Sequence, residues 1–242
     1  AHRSVLITQH GSVDSYKLAA IGHSELDFCV PVSAADVDSL IAQIDLDAQA
    51  YVLDLGCGKG EWLIRLGERF QGIRGHGIDL NPEFIDQAAR RAQERLGADG
   101  RITFERADVI KTTVHAGSLN LVVCVGATRL FGTFSEALRA FHTMLRHGGL
   151  ALVGETFIDN AAQLRAAIAC GFAPVAVAVS ADADWEAYGH AWSEALIAYV
   201  AAHPGDPSAR DLLAHSHDAA VNEYVHGGRQ GRGFGLYLLK RR

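Results

Sequence analysis

Between Tyr51 and Leu66 the chain reads Tyr-Val-Leu-Asp-Leu-Gly-Cys-Gly-Lys-Gly-Glu-Trp-Leu-Ile-Arg-Leu, and no other stretch constrains the fold as tightly. A short apolar run ends at Leu55, Gly56, Gly58 and Gly60 follow at alternate positions, and Leu63, Ile64 and Leu66 then recur at helical spacing. The pattern predicts strand, tight turn and helix. Without a Cβ, glycine reaches positive φ and lets a ligand approach the backbone amides, while the unpaired N–H groups of the helix's first turn point at whatever binds. Such a turn is a ligand cradle.

The spacing says which ligand to expect. A dinucleotide turn has the form G-x-G-x-x-G, but counting from Gly56 the sixth position is Glu61 and the third glycine arrives one residue early, which disfavours a nicotinamide-dependent oxidoreductase. Asp-Leu-Gly-Cys-Gly-Lys-Gly instead resembles the first motif of the class I S-adenosylmethionine-dependent methyltransferases, an acidic residue closing the first strand followed by G-x-G-x-G. The resemblance implies that Asp54, Gly56, Cys57 and Gly58 belong to a cofactor site for S-adenosylmethionine. The plainer alternative is a glycine turn of some other α/β enzyme.

Later strands supply matching carboxylates. Ile73 to Leu80 reads as a second strand that ends in an acid about twenty residues beyond the glycine turn, where a carboxylate can accept both ribose hydroxyl protons. Asp79, with Leu80 beside it, is the candidate; capping of the next helix is the competing role, for which Asn81 before Pro82 is better placed. A helix is predicted over Glu83 to Leu96, with Arg90, Arg91 and Arg95 on its solvated face. Ile102 to Asp108 alternates as a third strand, and the resemblance places Asp108 and the Val109 amide at the adenine.

Leu119 to Val125 reads as a buried fourth strand. In parallel sheets ligands bind beyond the carboxyl ends of the strands at the point where strand order reverses, here between the first and fourth. Cys124, Val125 and Gly126 are therefore expected beside the methionine part of the cofactor, with Arg129 facing the substrate. The predicted helix Phe134 to Leu145 is closed by Arg146-His147-Gly148-Gly149, and a fifth strand follows from Leu150 to Glu155. Glu155, at a strand end, is a candidate base or substrate-orienting group together with Arg129; capping a helix or pairing with Arg129 is the structural alternative. A further helix over Asp159 to Cys170 and a sixth strand over Phe172 to Val179 complete this part.

Two segments flank the core. Asp27-Phe-Cys-Val-Pro-Val-Ser33 is similar to a stretch that precedes the core in a group of small bacterial methyltransferases, and Ser33 is the expected N-cap of a helix through Ile44. His23 and Phe28 are placed near the substrate on that basis, with Tyr16 and Asp27 as further candidates and simple packing as the alternative. Residues 181–232 intervene before a last strand at Phe234 to Leu239. The first helix of this insertion carries Trp185, Tyr188, Trp192, Leu196 and Tyr199 at one-face spacing, and a second runs to about Tyr224 before the Gly227 to Gly233 loop with Arg229 and Arg232. Trp185 and Tyr188 are taken as substrate-side residues because insertions are where substrate choice is built, although an aromatic stripe more often fills a core.

Bulk properties narrow the function. A net charge of −6 opposes nonspecific nucleic-acid binding, which needs a surplus of lysine and arginine. No apolar run is long enough for a bilayer or a signal peptide, so a cytoplasmic location is expected. Cys29, Cys57, Cys124 and Cys170 form no C-x-x-C pair, and the histidines form no helical H-x-x-x-H pair, so neither a disulfide framework nor a metal site is expected. The expectation is one domain over residues 1–242. It comprises an N-terminal cap (1–48), a cofactor-binding core (49–180), a helical substrate-side insertion (181–232) and the last strand (233–242). The fold class is α/β, a doubly wound Rossmann-like sheet of seven mostly parallel strands, the last antiparallel as the resemblance implies. The activity expected is transfer of a methyl group from S-adenosylmethionine to a small-molecule acceptor by a monomer or homodimer. The alternative is a sensor or partner subunit that binds the cofactor without transfer.

Overall fold

A computed structural model describes residues 15–208, Asp211 and 233–242. Seven strands form one sheet in the order β3-β2-β1-β4-β5-β7-β6. These are β1 (Tyr51–Leu55), β2 (Arg74–Asp79), β3 (Ile102–Arg106), β4 (Leu119–Val125), β5 (Leu145–Phe157), β6 (Phe172–Val179) and β7 (Gly233–Arg241). β1 pairs in parallel with β2 and β4, so strand order reverses between β1 and β4. β7 is antiparallel to both β5 and β6.

The period-2 alternation of side chains divides the core between the two faces of the sheet. Val52, Leu121, Val123, Leu152 and Leu236 meet Val37, Leu40 and Ile41 of α2 (Ala34–Ala42) and Leu63 and Leu66 of α3 (Glu61–Arg69). Leu53, Val122, Ala151 and Val153 face the other way, onto Leu138 and Phe141 of α5 (Phe134–Met144). The remaining helices are α1 (Ser15–Gly22), α4 (Pro82–Leu96), α6 (Asn160–Ala169) and α7 (Asp182–Ala202). Ser33 caps α2 by accepting from the Asp36 amide at 3.0 Å, and Asn81 caps α4 by accepting from the Glu83 amide at 3.0 Å.

Two expectations need correction. Arg146-His147-Gly148-Gly149 does not end a helix in favourable charge: Leu145 already pairs with Leu119, so β5 begins at Leu145 and carries these residues. Gly149 has the neighbouring strand close on it, since a Cβ there would lie 3.2 Å from the carbonyl oxygens of Leu119 and Asn120 in β4. Nor are the arginines of α4 merely solvated. Arg91 and Arg95 reach the carboxylate of Glu61 at 2.9 and 2.7 Å, and Arg65 reaches it from α3 at 2.7 Å. Glu61 is only 3% exposed, so this carboxylate is a buried charge held by three guanidinium groups.

The predicted second helix of the insertion and the arginines Arg229 and Arg232 lie outside the described residues. Among the described residues no helix is long and apolar enough to cross a membrane.

Candidate active site

The glycine turn is built as its composition demands. Gly56, Gly58 and Gly60 have φ of 76°, 52° and 77°, and the amides of Gly56 and Cys57 both donate to the Ile78 carbonyl at 2.9 Å, joining the turn to β2. A Cβ on Gly56 would lie 2.5 Å from that of Ala127, and one on Gly60 would lie 2.6 Å from the Phe104 ring. The first glycine thus admits the loop after β4, and the third lets α3 sit against β3.

Beside this turn lies a cavity of about 530 Å³, and the carboxyl ends of four successive parallel strands border it. Gly56 and Gly58 follow β1, Asp79 and Leu80 close β2, Asp108 and Val109 follow β3, and Val125 and Gly126 follow β4. Asp79 is held firmly: its Oδ2 accepts from the Gly58 amide at 2.9 Å and its Oδ1 from the Asn81 amide at 2.8 Å. Each oxygen keeps a second lone pair for a ligand hydroxyl. Asp108 caps a short 3-10 turn, accepting from the Ile110 amide at 3.1 Å.

The cavity's other boundary comes from outside the sheet. His23, Cys29, Arg129, Leu130, Tyr188 and Trp192 line it, with Tyr16 and Phe84. His23 is 8% exposed; its Nδ1 lies 2.8 Å from the Ala19 carbonyl oxygen and its Nε2 2.8 Å from the Tyr188 hydroxyl. Burial, reinforced by the Lys59 charge, lowers its pKa to about 4, so the imidazole is neutral near pH 7. The Cys29 thiol is pushed up to about 12 by burial and is not a thiolate.

Several predicted site residues lie elsewhere. Phe28 turns into the core against Trp62, at a centroid distance of 5.3 Å, and its ring is covered by the Arg65 guanidinium. Trp185 joins the same core cluster and is not among the cavity-lining residues, whereas Tyr188, three residues on, is. Cys57 and Cys124 have buried side chains, the latter in the α5-side core, so neither is among the cavity-lining residues. Asp54 is 1% exposed and also lies behind the cavity lining. Its Oδ2 has no hydrogen-bond partner, and burial, then the neighbouring Asp79 charge, raises its pKa well above the ordinary carboxylate value.

Glu155 does not stand at the strand end where the sequence placed it. β5 runs on to Phe157, and Glu155 is paired with Gly235 of β7 rather than standing at a free strand end. Its carboxylate accepts from the Thr128 hydroxyl and from the Thr156 amide, which ties it to the turn after β4 and outside the cavity lining. Arg129 does line the cavity.

Sequence reasoning passed over Lys59. It is 4% exposed and its ammonium donates to the carbonyl of His23 at 2.5 Å and to that of Leu26, fastening the segment between α1 and α2 across the glycine turn. A lysine between two glycines of the turn is the available signal; its carbonyl partners leave none.

The chain is similar to several known proteins. The model of a methyltransferase domain matches residues 52–149. The uncharacterised protein YjhP of Escherichia coli (strain K12) is 29% identical over 249 residues, covering 94% of this chain and 99% of that protein. A methyltransferase from Geobacter sulfurreducens, solved in complex with S-adenosyl-L-homocysteine, superposes with a TM-score of 0.82 at 26% identity, over 93% of this chain and 98% of that one. One from Thiobacillus denitrificans, solved with the same compound, gives 0.79 at 26% identity over 92% and 97%. With its reversing sheet, its antiparallel β7, and its glycine turn opening on the four strand ends, the chain has the Rossmann-like fold of the class I S-adenosylmethionine-dependent methyltransferases and is similar to them across its glycine-turn core.

Proposed function

We propose that the cavity binds S-adenosylmethionine along the strand ends and presents its methyl group to a small molecule held by the N-terminal segment and α7. The observation that carries this is Asp79, whose two oxygens are fixed by the Gly58 and Asn81 amides and still offer acceptor lone pairs beside the glycine turn. Asp79 would hold the ribose hydroxyls, Asp108 with the Val109 amide the adenine, and Gly56, Gly58, Val125 and Gly126 the methionine part. Asp54, behind the turn, offers an orphaned buried oxygen as a further acceptor. When bound, the cofactor supplies a methyl group already activated on a sulfonium, so the chain's task is alignment and exclusion of water. Alignment alone can supply on the order of 7–11 kcal/mol at its upper reach.

His23, Arg129, Tyr188 and Trp192 face the acceptor in this reading. A cavity within the range of small-ligand sites, roughly 300–1,000 Å³, and a net charge of −6 favour a metabolite over nucleic acid. The chain acts as one domain, with residues 15–48 and α7 serving as its substrate-side cover. Incubation of the purified protein with S-adenosylmethionine and panels of alcohols, phenols, amines and thiols tests the reading. Formation of S-adenosylhomocysteine that depends on an acceptor supports it. Tight cofactor binding with no turnover across all panels favours a sensor or partner subunit instead.

A further inference from the structure

The contact between His23 and Tyr188 has a defined polarity. A backbone carbonyl only accepts hydrogen bonds, so His23 Nδ1, 2.8 Å from the Ala19 oxygen, carries the proton of the neutral ring. Nε2 is then a bare lone pair, and the Tyr188 hydroxyl 2.8 Å away must donate to it. Tyr188 therefore meets the cavity it lines as a hydrogen-bond acceptor, its proton committed to His23. The ring is held there by edge contacts to Trp192 at 4.5 Å and Phe84 at 5.9 Å, and its own backbone oxygen is gripped by Lys59.

We propose that Tyr188 takes the hydrogen bond of the acceptor's hydroxyl group and, relayed by His23, removes its proton, so that the acceptor is an alcohol or phenol and the reaction an O-methylation. The assignment rests on the cofactor reading above. In the step, a lone pair of the acceptor oxygen forms the new bond to the methyl carbon and the electron pair of the broken carbon–sulfur bond stays on sulfur. The acceptor proton passes to Tyr188 Oη while the tyrosine's own proton crosses to His23 Nε2, leaving an imidazolium that returns its proton to solvent after product leaves. One positive charge is lost at the sulfonium as one arises at the imidazole, so the net charge of the complex is unchanged across the step.

The weak basicity of His23 points to the same class. Burial holds its pKa near 4, too low to deprotonate an alkylammonium product effectively. A methylated hydroxyl that still carries its proton is a far stronger acid than imidazolium, so even this imidazole takes the proton from oxygen. Thiols, which ionise readily near neutral pH, gain little from such a relay. The dyad thus discriminates by the chemistry of the nucleophile.

Two measurements decide the matter. In the first, nitrogen-15 spectra of histidine-labelled protein loaded with S-adenosylhomocysteine, with His23 assigned by comparison with His23→Gln, are expected to show a protonated Nδ1 and a bare Nε2 at neutral pH. A protonated Nε2 overturns the dyad, and this readout needs no acceptor. In the second, the acceptor panels are run with the native protein, Tyr188→Phe and His23→Gln. Turnover of alcohols or phenols is expected, with kcat lower by about 100-fold or more in Tyr188→Phe. The cofactor Kd should change little in that variant, and His23→Gln should lower kcat rather than raise KM. Turnover confined to amines or thiols, or an unchanged kcat in Tyr188→Phe, overturns the proposal. No turnover in any panel, with the expected spectrum, contradicts the small-molecule reading and leaves the dyad's polarity standing.

Discussion

The ammonium of Lys59, rising from the middle of the glycine turn, donates to the carbonyl oxygen of His23 at 2.5 Å. A single buried cation therefore joins the cofactor turn to the residue that faces Tyr188, and burial lowers its own pKa. Replacing Lys59 by Met removes the donor and leaves the His23 and Leu26 carbonyls without it. We expect a loss of about 1–3 kcal/mol in urea unfolding. Hydrogen exchange should accelerate in residues 19–28 more than in β4, whereas uniform protection in both would show that the ammonium does not anchor the segment.

His23 gives the stability a pH dependence of known sign. Its folded pKa, about 4, lies below the ordinary value of 6.5, so the unfolded chain takes up this proton first as pH falls. The contribution is intact above pH 6.5 and is lost as pH falls towards 4, by roughly 3 kcal/mol over the window. Unfolding curves of the native protein and His23→Gln should differ in slope across that window, the variant being flatter. Parallel curves would contradict the buried, neutral imidazole.

Asp54 works in the opposite direction. Its pKa is raised by burial, so its stabilising protonated form is retained at low pH and lost as pH rises through the folded-state value. Asp54→Asn cannot ionise, so its stability relative to the native protein should improve between pH 4 and pH 8, by about 1–3 kcal/mol. A constant difference across that range would mean that the carboxylate is not desolvated as described.

Glu61 joins α3 to α4 through Arg65, Arg91 and Arg95, and Arg91 extends the link to Asp27 at 2.6 Å. Glu61→Gln leaves three guanidinium groups facing a neutral amide at a nearly closed site. A destabilisation of about 3–5 kcal/mol is expected in denaturant unfolding. A change below ~1 kcal/mol would place this cluster with ordinary surface pairs.

What the sequence disclosed and what it hid follow from the range of the interactions. β1, β4 and β6 were readable to the residue because their apolar runs are local and bounded by glycine or polar turns. Asp79 and Asp108 were readable as strand-end acids, since sheet topology carries those ends to one rim. Glu155 misled because the length of β5 depends on pairing with β7, about eighty residues away in sequence, which no local pattern reveals. Trp185 and Tyr188 share a helical stripe, and only the docking of α7 decides that Trp185 enters the core while Tyr188 meets His23. The roles of Lys59 and of the α4 arginines depend on partners that become neighbours only when α1, α3 and α4 pack together.

The central claim is that Asp79 holds the cofactor's ribose at the rim formed by β1 and β2. Isothermal calorimetry of S-adenosylmethionine with the native protein and Asp79→Ala tests it most directly. The account predicts an affinity weaker by roughly 1.5–3 kcal/mol in the variant, the worth of hydrogen bonds to a charged group, with the fold retained. Equal affinity in a folded variant would contradict it.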